Sequence, residues 1–221
     1  MLVITFEEIK HDPQIKTFIK KADEALEALG YTEHSFAHVG MVARRAKYIL
    51  TTLGYSEREV ELAQMAGFMH DIGNVINRVD HAQSGAIMAF RILDKLGMDA
   101  EEIAIIISAI GNHDEATAVP VNEVAAALIL ADKSDVRYTR VRNRDFVNFD
   151  IHDRVNYAVK ESSIIINEEK TKITLNLTID TEFSSVMDYF EIFLERMLLC
   201  KKAAFKLNLK FHLVINMQKI L

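Results

Sequence analysis

Four of the eight histidines in this 221-residue chain are followed by aspartate: His11-Asp12, His70-Asp71, His113-Asp114 and His152-Asp153. Chance pairing of 8 His with 14 Asp gives fewer than one such dipeptide, so context must choose among them. His70-Asp71 follows the apolar stretch Ala66-Gly67-Phe68-Met69 and precedes Ile72-Gly73. That places an imidazole and a carboxylate at the inner end of a largely buried helix, where unpaired polar groups are costly. A metal ion is the most economical compensation, because both groups are good ligands for first-row divalent metals. The plainer alternative is a buried His–Asp hydrogen-bonded pair. His38, His81, His113 and Asp132 each stand at an expected helix end or break a buried face, and such positions can converge at one end of a helical bundle.

The elements that must position these residues are mostly helices. Apolar residues recur every three to four positions after Pro13 as far as Gly30, from Ser35 to Gly54, and from Ser56 to about Asp71. Ser56 with Glu59 has capping-box spacing. Further helices fit 83–96, 99–110 and 121–136, with stops at Gly97 and Gly111. Asp12, before Pro13, reads as a helix cap. The period then changes to two. Ile173, Leu175, Leu177 and Ile179 alternate with polar residues, as do Phe211, Leu213, Ile215 and Met217. Ser163–Asn167 with a turn over Asn167–Lys170 completes a hairpin, and Thr181 is expected to cap a long helix to about Leu207. The reading is a mainly α body over residues 1–160 and a small β-β-α-β (α+β) unit over 161–221, an antiparallel sheet covered by one helix.

The order His38 … His70-Asp71 … Asp132 resembles the pattern of the HD-domain superfamily of metal-dependent phosphohydrolases. The flanks are similar too: His34-Ser-Phe-Ala-His38-Val, Gly67-Phe-Met-His-Asp-Ile-Gly73 and Leu128-Ile-Leu-Ala-Asp-Lys133. His81-Ala-Gln-Ser-Gly-Ala86 and Asn112-His113 resemble the two-metal branches. The likeness covers about residues 34–137. It implies an HD helical bundle in which His38, His70, Asp71 and Asp132 hold one divalent metal. Asp71 would bridge to a second metal held also by His81 and His113. Mn, Fe, Co, Ni or Zn suits such N/O ligation better than Mg or Ca. The implied activity is hydrolysis of a phosphate ester or anhydride, in particular of a nucleotide, by a metal-activated water. Two positions depart from the family pattern: Asn74 stands where many relatives have lysine, and Asp114 where some have a further histidine.

Around the ligands, Lys133 and Arg137 are read as phosphate-binding residues and Asn74 as a hydrogen-bonding one. His34 is read as a phosphate ligand or general acid. Arg140, Arg142 and Arg144 extend the basic stretch. His152-Asp153 reads as surface or capping, with an approach to the site as the alternative, His212 as solvent-facing and Cys200 as packing. A non-catalytic nucleotide-binding or signalling module, acting through the C-terminal unit, is the alternative function.

Composition narrows the classes. A net charge of −6 argues against broad nucleic-acid binding. It divides into a body of 16 basic and 23 acidic residues (1–150) and a tail of 10 and 9. One cysteine excludes a disulfide framework. Apolar runs fall short of the roughly 18 residues that span a bilayer, and we expect a cytoplasmic protein. The amphipathic tail helix and the strand edges suggest a homodimer; a monomer by sedimentation at micromolar concentration would contradict it.

Overall fold

Apart from the one that begins at His81, each α-helix of the body starts where a side chain takes up an otherwise unpaired backbone amide. The computed structural model describes residues 3–143 and 149–221. Its first helix, α1 (Phe6–His11), was not apparent from the sequence; Thr5 and Glu8 form its capping box. Asp12 then accepts the amides of Gln14 and Ile15 to start α2 (Pro13–Ala28). Ser35 caps α3 (Phe36–Leu53), which ends at Gly54 with φ +90°. The Ser56–Glu59 capping box opens α4 (Glu57–Met69), and a 3-10 turn follows at Ile72–Val75. Helices α5 (His81–Lys95), α6 (Ala100–Gly111) and α7 (Glu123–Lys133) complete the body, followed by α8 (Ile151–Ala158). Helix α5 begins at His81, as the reading of His81 at a helix end requires, two residues before the 83–96 stretch. Helix α7 is shorter than the 121–136 expected, with Asn122 as its cap.

Helix α7 is buried on every side from Val124 to Lys133. It is the central rod, with α3, α4, α6 and the later α9 packed around it. The α3–α4 contact is close because Gly67 carries no side chain: a Cβ there would lie 3.1 Å from the Ala43 backbone.

The C-terminal unit is β1 (Val159–Ile166), β2 (Lys172–Ile179), α9 (Val186–Lys206), β3 (Lys210–Ile215) and the two-residue β4 (Gln218–Lys219). Two expectations need correction. The sheet is mixed rather than antiparallel: β1/β2 and β3/β4 are antiparallel, but β2 and β3 run parallel. The 21-residue α9 carries the chain back to the start of β2, as a parallel pair requires. The long helix starts at Ser185, not Thr181, because Ser185 and Asp188 form the capping box that Thr181 could not. Ile173, Leu175 and Leu177 on β2 face inward beside Phe211, Leu213 and Ile215 on β3.

This unit is fastened to the body by polar contacts as well as by apolar packing. Arg45 of α3 donates to Ser134 Oγ at 2.9 Å and to the Ser162 carbonyl at 2.7 Å. Ser162 Oγ in turn donates to the Ser134 carbonyl, and the Ile166 amide donates to Tyr48 Oη. Helix α9 packs along α7, and that contact reaches the site described next. No described helix is long and apolar enough to cross a membrane.

Candidate metal centre

Four imidazoles meet between α3, α4, α5 and the end of α6, all fully or almost fully buried: His38, His70, His81 and His113. In each, Nδ1 is already committed. His70 Nδ1 lies 2.9 Å from the Gly67 carbonyl, His81 Nδ1 3.0 Å from that of Arg78, and His113 Nδ1 2.6 Å from that of Ile110. A carbonyl only accepts, so these three nitrogens carry the proton. His38 Nδ1 lies 2.8 Å from Asp135 Oδ2. Every Nε2 therefore faces the centre, where each ring in its neutral form would present a lone pair to a metal.

Asp71 and Asp132 close the cluster. Asp71 Oδ2 is 3.1 Å from His70 Nε2 and 3.7 Å from His38 Nε2. Its other oxygen, Oδ1, is 3.5 Å from His81 Nε2 and 3.8 Å from His113 Nε2. Asp132 Oδ1 lies 3.3 Å from His38 Nε2 and 3.7 Å from His70 Nε2. One carboxylate thus faces two imidazole pairs with its two oxygens.

The donor set fits divalent metal. Ligands about 2.1 Å from one ion stand about 3.0–3.4 Å apart in octahedral or tetrahedral arrangements, close to the separations here. The buried Nε2 atoms of His38 and His70 find no aligned hydrogen-bond partner despite the nearby carboxylates. The Nε2 atoms of His81 and His113 stand 3.2 Å apart, lone pair to lone pair. Arg78 Nη1, 3.3 Å from His81 Nε2, can serve one of the two but not both. Only a cation or a shared proton resolves the opposition. The triads His38/His70/Asp71 and Asp71/His81/His113 each gather three donors within 4.8 Å. His38, His70, Asp71 and Asp132 would hold one ion, and Asp71, His81 and His113 a second.

The electrostatics agree. Burial works against charge on Asp71 and Asp132, but His70 and His113 around the first, and Lys133 and the His38 and His70 rings around the second, hold both well below the usual carboxylate range. Burial likewise disfavours a charged His70, yet Asp71 and Asp132 outweigh it and raise its pKa to about 10 without metal. His81 goes the other way, to about 4, chiefly through burial.

Glycine makes the convergence possible. A Cβ on Gly73 would lie 2.0 Å from the His81 carbonyl oxygen and 2.5 Å from Gly85 N. The turn after His70-Asp71 can therefore rest directly on the first turn of α5, which brings His81 to Asp71.

The other sequence candidates divide. Asn74 is buried away from the cavity. Its Nδ2 donates to Asp71 Oδ1 at 2.9 Å, so it orients the shared carboxylate rather than a substrate. Lys133 is on the cavity wall, with Nζ 2.7 Å from Asp132 Oδ2 and 3.1 Å from Glu115 Oε2. Arg137 does not line the cavity; its guanidinium is spent on Asp135 and Glu33. His34 precedes α3, yet its ring centroid is 5.3 Å from that of His38. Its Nδ1 meets the Thr32 carbonyl at 2.7 Å, and burial together with Arg140 holds its pKa well below the usual value. The resting ring is therefore neutral with Nε2 unprotonated, an acceptor rather than an acid. Arg142 pairs with Asp23, and Arg144 lies outside the described residues. His11 is exposed near Glu7, and His212 is half-buried on β3.

A cavity of about 460 Å³ opens on the cluster. It is lined by Asp71, Asp132, His81 and His113, by the cations Arg78, Lys133, Arg140 and Arg196, and by Tyr31 and Phe193. His152 and Asp153 of α8 also reach it, which is the alternative to a surface or capping role. Sequence reasoning missed Asp135, Glu115, Arg78 and Arg196. Asp135 had a signal, three residues after Asp132 and so one helical turn on. Arg196 had none, because only the packing of α9 against α7 brings it here.

The HD domain family model matches residues 35–137, which contain all six proposed ligands. No curated protein matches the chain. The crystal structure of a predicted HD superfamily hydrolase from an uncultured Thermotogales bacterium aligns at 24% identity with a TM-score of 0.45. The alignment covers 57% of this chain and 69% of that one. Over residues 35–137, this chain is similar to the HD domain.

Proposed function

We propose that this protein is a metal-dependent phosphohydrolase, acting on a phosphate ester or anhydride of a nucleotide. The observation that carries the reading is the set of four buried imidazoles, each with Nδ1 committed and Nε2 turned to Asp71 or Asp132, on the floor of a cation-lined cavity. Divalent ions held by these residues would supply Lewis-acid polarisation of a phosphoryl oxygen and a lowered pKa for a water. The chain's own groups do the rest. Asn74 keeps the Asp71 carboxylate aligned between its two imidazole pairs. Lys133 and the arginines offset the negative charge of a phosphate in an otherwise acidic body. His34, neutral with Nε2 free, can accept a proton at that atom on the side of His38. Tyr31 and Phe193 give the cavity an aromatic boundary suited to a planar base.

The test is elemental analysis of the purified protein together with a phosphate-ester hydrolysis panel under Mn, Fe, Co, Ni and Zn. Transition metal near stoichiometry and metal-dependent hydrolysis are expected, both lost in Asp71→Ala. Unchanged metal content and activity in that variant would refute the assignment. A non-catalytic nucleotide-binding module would instead retain bound nucleotide intact through incubation with metal.

A further inference from the structure

The C-terminal unit is outside the matched domain, yet one of its side chains enters the cavity. Arg196 sits on the inner side of α9 beside buried Phe193 and Met197. Its Nε donates to Glu115 Oε1 at 2.7 Å, and its guanidinium carbon lies 4.3 Å from the centre of the Phe193 ring. One hydrogen bond and one stacked face fix the plane of the group. Neither terminal nitrogen has a hydrogen-bond partner among the described residues. Both belong to a side chain lining the cavity that holds Asp71, Asp132, His81 and His113.

Each of the other cations on that wall has at least one terminal nitrogen engaged by the protein. Lys133 is 5% exposed and clamped between Asp132 and Glu115. Arg140 is 5% exposed, with Nε and Nη1 on the carbonyls of Glu33 and Asp135. Arg78 rests Nη1 on Asn74 and His81. Glu115 is the shared anchor: it accepts from Arg196 on one oxygen and pairs with Lys133 on the other. A guanidinium held through Nε with both Nη groups open presents two parallel N–H donors, the geometry that matches two oxygens of one phosphate.

We infer that Arg196 is a substrate-binding residue, and that the C-terminal unit thereby completes the site with a bidentate clamp for a phosphate group. The inference rests on the phosphohydrolase reading for its substrate class, but the clamp can be measured without turnover. The experiment uses the full chain loaded with Mn, as wild type, Arg196→Gln and Arg196→Lys. Affinity for inorganic phosphate is measured by calorimetry, kcat and KM on the best ester of the panel, and metal content and Tm as controls. We expect Arg196→Gln to weaken phosphate binding about 10- to 100-fold and to raise KM more than it lowers kcat, with metal retained. Arg196→Lys should fall between the two, because it keeps the charge but loses the fork. If Arg196 served only to pin α9 to Glu115, Tm would fall while phosphate affinity stayed within about twofold of wild type; that result overturns the inference, as does a metal-loaded wild type that binds no phosphate. A wild type that binds phosphate through Arg196 but hydrolyses no ester would support the clamp and refute the hydrolase.

Discussion

Replacing Asp135 by asparagine should weaken metal binding although Asp135 faces no metal itself. In the native structure one carboxylate oxygen accepts from His38 Nδ1 at 2.8 Å and the other from Arg137 Nε at 2.9 Å. Asparagine offers one acceptor and one donor in the same volume. If its oxygen stays on Arg137, its NH₂ meets the His38 Nδ1 proton, and the ring must move that proton to Nε2, the atom that would ligate. If its oxygen turns to His38, the NH₂ opposes Arg137, and the negative charge that favours a cation near His38 is gone in either case. Burial opposes that charge, but the His38 contact and Arg140 hold the Asp135 carboxyl far below its ordinary range, so it is ionised at neutral pH. Loss of such an outer partner typically weakens metal affinity by 10- to 100-fold, or about 1.4–2.8 kcal/mol. The assay is competition with a chromophoric chelator for Mn, with ¹⁵N spectra of the metal-free protein to read the His38 tautomer. A Kd within about twofold of wild type, with His38 still protonated on Nδ1, would refute the reasoning.

Two further outcomes test the frame around the site. Gly73→Ala forces a Cβ to 2.0 Å from the His81 carbonyl oxygen, a backbone atom that no rotamer change can relieve. We expect a loss of more than about 3 kcal/mol or failure to fold, read from the urea midpoint; a shift under about 1 kcal/mol would mean the two turns can separate. Burial pushes the Cys200 thiol up to about 12 and also raises the Tyr189 phenol. Above about pH 9 the unfolded chain releases these protons while the folded one keeps them, so unfolding free energy falls as pH rises, by up to about 1.4 kcal/mol per pH unit for each group. Urea titrations at pH 8, 9 and 10 should show that slope, reduced in Cys200→Ala; an equal slope in the variant would count against it.

Much of the site was legible because its residues violate their surroundings. A histidine and an aspartate inside Gly67-Phe-Met-His-Asp-Ile-Gly73 have no solvent to stabilise them, so a partner had to exist. Helix limits were legible where a cap is a local event: Ser35, Ser56 and Asp99 each bond within three residues. The start of α9 was misread because Thr181 and Ser185 are both capping types, and only Ser185 has an acidic residue three positions on. The direction of β3 was not legible at all, since alternation shows which face is buried and is blind to which neighbour the strand meets.

The sequence by itself determined the ligand types, their order along the chain and the helices that carry them, because caps, period and burial cost act over a few residues. The tertiary structure alone decided which nitrogen of each imidazole faces the centre, since that depends on carbonyls and on Asp135 brought up by neighbouring turns. It also decided which cations face the cavity. Arg137, three residues before Arg140, is spent on Asp135 and Glu33, whereas Arg196, more than sixty positions from Asp132, stands on the same wall. Ion pairs form between whatever the packing of α9 on α7 brings within about 4 Å, and separation along the chain carries no record of that distance.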